Sequence, residues 1–280
     1  MDSKKRIDDL RNHRLELMHP QEIVEERGRS PVAYIPLGPM EWHGPHLPFG
    51  TDMLHAYSIA LDAVRETGGV VLPPLPLGTE TLIGPKRERH RGFKGTERIF
   101  GMDFPGFSIP SLYNEESVFG AIVQDLVLKF KRQKFKVVVI VSGHGGQNHW
   151  MTLTRIAREQ TVPGDFIVIH AYGLREQSRY RGGHAEKGET AFMLAYYPNA
   201  VDLGALPPLP DPLYNIEFGV LDNLTCMGKP TEDFTVRPQQ DPRNASANEG
   251  QADHDYGVKL LVDLVSKILK DLTPQEFPWF

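Results

Sequence analysis

The chain has 280 residues, 40% of them hydrophobic, and its 31 Lys and Arg against 36 Asp and Glu leave a net charge of −5. A chain of this size buries about three-quarters of its unfolded surface in one α/β domain, so it folds without cross-links, and the lone Cys226 excludes a disulfide framework. The acidic balance lacks the basic face that nucleic acid demands, and the longest purely apolar run, 137–141, is far short of the roughly 20 residues of a membrane span.

In chain order, the charged stretch before Pro31 has helical period, with Leu10, Leu15 and Leu17 as its apolar anchors, and predicts a peripheral helix within residues 1–30. A first strand is predicted over Val32–Leu37, a helix over 54–65, and a short strand over 70–72 that the following prolines close. The clearest helix starts near Ser117, with Phe119, Val123, Val127 and Ile122, Leu126, Phe130 at four-residue steps. Residues 137–141 read as a strand buried on both faces, as parallel sheets require. Asn148 is placed as the N-cap of the next helix, and 166–170 as another buried strand. A helix follows from Thr190 and stops at Pro198. Prolines then crowd 206–242, which predicts a meandering arm lying on the body or on another subunit. An amphipathic helix over 256–272 closes a single domain spanning 1–280. Strands alternating with helices make this a three-layer α/β/α fold with a mostly parallel central sheet.

The chemistry concentrates after the first strand, in a Gly- and Pro-rich run that holds Glu41, His43 and Asp52. Side chains two apart in extended chain point the same way, so Glu41 and His43 converge while the turn brings back Asp52. A carboxylate, an imidazole and a second carboxylate suit a divalent metal such as Zn²⁺ or Mn²⁺. Sites in open α/β sheets lie beyond the carboxyl ends of the strands, and His144 follows the 137–141 strand in the turn Gly143-His144-Gly145-Gly146. Caging these four residues around a cation accounts for them better than burying them unpaired, which costs several kcal/mol. His46, His55, His149 and His170 read instead as hydrogen-bonded structural histidines. A third segment, Gly183-His184-Ala185-Glu186-Lys187-Gly188-Glu189, offers Glu189 as a further ligand or base and His184 as a proton carrier. Glu189 also suits a plain first-turn stabiliser of the helix after it. Trp42 and Gly145, next to the ligands, are candidates for substrate contact. Residues 86–94 are the only dense basic run; they fit a solvated loop or subunit contact, or a lid through which Arg87 and Arg91 recognise an anionic or hydroxyl-rich substrate.

The run Glu41-Trp42-His43-Gly44-Pro45-His46 through Asp52, the turn Ser142-Gly143-His144-Gly145-Gly146-Gln147-Asn148 and the later His184-Ala185 with Glu189-Thr190 together resemble the creatininase (creatinine amidohydrolase) family, as does Phe104-Pro105-Gly106. The likeness covers roughly residues 31 to 200. It implies that fold, two divalent ions per chain (Zn²⁺ first, Mn²⁺ or Fe²⁺ otherwise), amide hydrolysis and a homo-oligomer such as a hexamer. By position, Glu41 and His144 would hold one metal, His43 the other, and Asp52 would bridge them. The family's next ligand follows the second-motif histidine by two places, where this chain has Gly146; Glu189 is the substitute. Trp42 also replaces a glutamine common in the family. Hydrolysis of a cyclic or linear amide or formamide is the expected reaction. Hydrolytic C–C cleavage of a cyclic polyhydroxy diketone shares its first step, and a non-catalytic metal-binding scaffold would keep the ligands without turnover. A small-molecule substrate and a cytoplasmic location complete the expectations, without nucleic acid or membrane partners. The nicotinamide fingerprint is broken after Gly145, and no G-x-S-x-G occurs.

Overall fold

The computed structural model describes residues 13–106, 109–171, 183–216, 219–221 and 236–272. Leu10 and Cys226 lie outside them, as does the middle of the proline-rich arm. Four parallel strands, β1 (Val32–Leu37), β2 (Val70–Val71), β3 (Val137–Ser142) and β4 (Ile167–Ala171), lie in the order β2-β1-β3-β4. Register pairs Ala33 with Val70, Val32 with Val137 and Val137 with Ile167. The helices are α1 (Pro20–Arg29), α2 (Thr51–Thr67), α3 (Pro85–His90), α4 (Glu116–Arg132), α5 (Gln147–Gln160), α6 (Lys187–Tyr196) and α7 (Ala247–Asp271).

The period of two along each strand sorts its side chains into two cores. Val32, Tyr34, Val137, Val139 and Val141 pack on one face with Ile59 and Val64 of α2 and Leu261 and Val265 of α7. Ala33, Ile35, Leu37, Val138 and Ile140 pack on the other with Phe119, Val123 and Val127 of α4 and Leu153 and Ile156 of α5. The three-layer arrangement expected from the sequence follows, and the strands are buried on both faces because helices cover both. Among the described residues, no helix is long and apolar enough to cross a membrane.

Several boundaries differ from expectation, each for a local reason. Asn148 is not an N-cap: Gly146 holds that place, and Asn148 donates its side-chain amide to Glu116 on α4. On α4, Ile122 is exposed, so the buried stripe is Phe119, Val123, Val127 and Phe130. The last helix starts at Ala247, where Ser246 Oγ accepts the Glu249 N–H as a true cap. Its first turns are glycine-tolerant because Gly250 lies against the backbone of Ala191, where a Cβ would sit 2.0 Å from the Ala191 carbonyl oxygen. At the N-terminal side, Leu15 packs on the core but Leu17 is exposed; the buried residue of α1 is Glu26, whose carboxylate accepts the Gly69 N–H. The basic run contains a short helix, α3, rather than a loop. Near 214–221 the arm forms a two-stranded antiparallel ribbon, β5 (Tyr214–Ile216) and β6 (Gly219–Leu221). Leu206, Leu213, Val220 and Val236 of this region cluster with Ala185, so the described parts of the arm pack beside the third motif.

Candidate metal centre

Two strand ends and two helix starts build one buried cluster. Leaving β1, the chain passes Gly38, which packs against Asp52 so closely that a Cβ would lie 2.6 Å from the Asp52 Cβ. Gly143, after β3, abuts the Asp52 backbone, where a Cβ would meet its carbonyl oxygen at 1.9 Å. Two glycines therefore clamp the first turn of α2 between the ends of β1 and β3, which places Asp52 at the centre.

Around it, His43 Nε2 lies 3.3 Å from Asp52 Oδ1, 3.7 Å from Glu41 Oε1 and 3.7 Å from Glu189 Oε2. His144 Nδ1 lies 3.1 Å from Asp52 Oδ2 and 3.3 Å from Glu41 Oε1. The two oxygens of Asp52 thus face different imidazoles. His184 Nδ1 is 3.3 Å from Glu41 Oε1, and its ring centroid is 4.2 Å from that of His43. Three overlapping sets of donor atoms result, each within 4.8 Å of one another: Glu41, Asp52 and His144; His43, Asp52 and Glu189; Glu41, His43 and His184. All six residues are buried or nearly so.

The outer nitrogens of His43 and His184 are tied, which settles how these two rings face the cluster. His43 Nδ1–H donates to the Glu41 carbonyl oxygen at 3.0 Å, leaving the Nε2 lone pair inward. His184 Nε2–H donates to the carbonyl oxygen of Trp42, leaving Nδ1 inward. His144 points Nε2 at Glu80 Oε2, 3.2 Å away but off the line of a hydrogen bond, so among the described residues this buried nitrogen has no hydrogen bond.

The electrostatics are those of a cation site filled by protons. Burial by itself lowers the His43 pKa, but Asp52, Glu189 and Glu41 reverse this and hold it up to about 9. Burial likewise opposes the charged form of His144, and Glu41 and Asp52 override it and raise its pKa well above the ordinary value. Asp52, pushed up by burial, is held well below the ordinary carboxylate range by His43 and His144. A buried set of three carboxylates therefore draws protons onto its imidazoles, and divalent cations can take the place of those protons. This mix of carboxylate and imidazole donors, with one shared carboxylate, fits a pair of such ions. His184 differs: burial and the neighbouring His43 both disfavour its charged form and lower its pKa.

Every sequence-predicted ligand, Glu41, His43, Asp52, His144 and Glu189, lies in the cluster, with His184. Glu189 Oε2 also accepts the Ala185 N–H at 2.7 Å, across a turn in which Ala185 takes a left-handed φ of 54°. Trp42 is buried, its ring edge-on to Phe104 at 5.2 Å, and Gly145 is exposed in its turn. Arg87 is exposed on α3. Arg91 is buried, with its guanidinium 4.9 Å from the Phe104 ring and donating to the carbonyl oxygens of Gly101 and Asp103. Among the histidines read as structural, His46 bonds Thr190, His149 bonds Ser142, His170 bonds Thr154, and His55 packs with its ring tilted against that of Phe192. Two contributors escaped sequence reasoning. Tyr113 Oη donates to Glu41 Oε2 from a segment without any motif. Glu80 lies beyond the end of β2 in a segment without any motif, so only the general rule that sites gather past strand ends points toward it.

A family model described as creatinine amidohydrolase matches residues 16–265. The chain belongs to the creatininase family. It is accordingly a metal-dependent hydrolase. The creatinine amidohydrolase of Pseudomonas putida is 23% identical over 268 residues, 88% of this chain and 90% of that protein. The mycofactocin precursor peptide peptidase of Mycolicibacterium smegmatis is 30% identical over 125 residues, 41% of this chain and 40% of that protein. A solved creatinine amidohydrolase superposes with a TM-score of 0.62 at 19% identity, covering 94% of this chain and 98% of the other. Creatininases solved in a manganese form and in a zinc–zinc form share the fold, with TM-scores of 0.60 and 0.59.

Proposed function

We propose that this creatininase-family hydrolase cleaves the C–N bond of a small cyclic or linear amide at a centre for two divalent ions. The observation that carries the reading is Asp52, whose two oxygens face two separate ligand groups. Glu41, Asp52 and His144 would hold one ion, and His43, Asp52 and Glu189 the other. Zn²⁺ is the first choice, with Mn²⁺ or Fe²⁺ as alternatives. Such ions supply Lewis acidity, which polarises a carbonyl and lowers the pKa of water.

The chain's own residues supply the rest. With Nε2–H fixed on the Trp42 carbonyl, His184 has only Nδ1 free to gain and lose a proton. Burial and His43 make its charged form unstable, so a proton taken up at Nδ1 is readily passed on to a departing amine. Tyr113 Oη on Glu41 and the Ala185 N–H on Glu189 keep both carboxylates turned inward. The names of both curated relatives point to C–N bonds, in a creatinine and in a peptide, which favours amide hydrolysis over diketone cleavage. A complete donor set favours an enzyme over a metal-binding scaffold. A homo-oligomer, with a hexamer as first choice, and an anionic or hydroxyl-rich substrate recognised near α3 extend the proposal. The test is chelation and reloading with Zn²⁺ or Mn²⁺, followed by assay against creatinine, linear formamides, short peptides and a cyclic diketone. Amide turnover that returns with the metal supports the reading; turnover unaffected by chelation, or of the diketone alone, refutes it.

A further inference from the structure

His43 and His184 each turn their outer nitrogen to a main-chain carbonyl, and His144 has no such partner. Its Nε2 is buried, has no hydrogen bond among the described residues, and lies 3.2 Å from Glu80 Oε2. The Glu80 carboxylate is itself fixed, because Oε1 accepts the Thr81 N–H at 2.6 Å. Its segment is pinned on both sides. Gly78 exchanges hydrogen bonds with Asn114 and packs on Pro39, and Thr79 N–H reaches His149 Nδ1 at 3.4 Å.

The space Glu80 occupies is the space a side chain at 146 would need. A Cβ on Gly146 would fall 2.2 Å from Glu80 Oε2 and 2.5 Å from His144 Nε2. The glycine and the distant glutamate therefore form one device: only a residue without a side chain lets Glu80 reach the imidazole. We infer that Glu80 is a positioning residue for the metal centre: from 3.2 Å away it accepts the Nε2–H of His144 once the ring turns into line on a cation, so that Nδ1 presents its lone pair beside Glu41 and Asp52. Without an acceptor at Nε2, the neutral ring can carry its proton on Nδ1, which faces Glu41 and Asp52 and blocks a cation there. A carboxylate behind a ligating histidine fixes its tautomer and orientation and makes it a better donor.

This inference rests on the two-ion reading above and is tested on the full chain after chelation. Zn²⁺ is titrated against a competing chromophoric chelator in wild type, E80A and E80Q, and the ring nitrogens of ¹⁵N-histidine-labelled protein are observed by NMR. In E80A, one of the two Zn²⁺ ions is expected to bind about 10- to 100-fold more weakly while the other is unchanged. E80Q, whose amide oxygen still accepts from Nε2–H, should retain most of the lost affinity. In Zn²⁺-loaded wild type, His144 should be protonated at Nε2 and ligated through Nδ1. Wild-type affinity for both ions in E80A, or an unprotonated Nε2 in the loaded wild type, overturns the assignment. Should circular dichroism show that E80A does not fold, E80Q and the wild-type spectrum decide. A wild type that takes up no Zn²⁺ sinks the two-ion reading and this inference together, whereas normal uptake with an unaltered E80A sinks this inference alone.

Discussion

The run after β1 and the segment from 86 to 94 are both dense in charge, yet the fold uses them oppositely. Glu41, His43 and Asp52 turn their charged atoms toward one another around a shared interior. In the basic segment, by contrast, Arg91 is buried on Phe104 and on two backbone carbonyls, while Arg87 faces out. The two regions still touch: Phe104 packs on Trp42, whose carbonyl oxygen holds His184. Charge in the first region serves chemistry, and in Arg91 it serves as a brace for the wall behind that chemistry. Position at a strand end, rather than charge density, separates the two roles.

The comparison is broken most severely by Asp52→Ala. That variant is expected to abolish turnover and to bind neither Zn²⁺ ion tightly, read by elemental analysis of purified protein. Two ions retained at wild-type affinity would refute the bridging role. His184→Ala comes next, with kcat lowered about 10²- to 10⁴-fold and metal content intact; loss of metal instead would make His184 a ligand of the third donor set. On the other side of the comparison, Arg91→Ala strips partners from the Gly101 and Asp103 carbonyls and should cost about 1–3 kcal/mol in urea unfolding, with metal content unchanged. Arg87→Glu should raise KM if α3 meets an anionic substrate; an unchanged KM removes that role.

The smallest effect is a pH dependence. Since the folded state raises the His43 pKa from the usual 6.5 to about 9, its contribution to stability is complete below 6.5 and disappears as pH rises through 9. Chelated protein should therefore lose thermal stability across that window, and Zn²⁺ binding at pH 7 should release protons into a weakly buffered solution. An increase in stability of the chelated protein over the same range would contradict the proton-filled picture of the centre.

Much of this protein was legible before the fold. Five candidate ligands and a candidate proton carrier could be named because each sits in a glycine-flanked turn after a β-branched run or at the start of a helix, and such turns are local. Glu189 was readable as a candidate for the place vacated at Gly146, and the structure brings it within 3.7 Å of His43. The buried strands were legible for a related reason, as continuous Val and Ile runs record burial on both faces. The start of α7 was not, because its first turns carry Gly250 for the sake of contact with Ala191 rather than for helix propensity.

The sequence by itself determined the order of strands and helices, the residue types that gather cations, and the family, since these depend on periodicity and on spacings within short segments. Only the tertiary structure decided that Arg91 turns inward, that Tyr113 holds Glu41, and that Glu80 fills the gap left at Gly146. Those contacts join residues 10 to 72 positions apart in the chain. Steric exclusion and hydrogen-bond direction select them once the strand ends meet, and no local pattern encodes either.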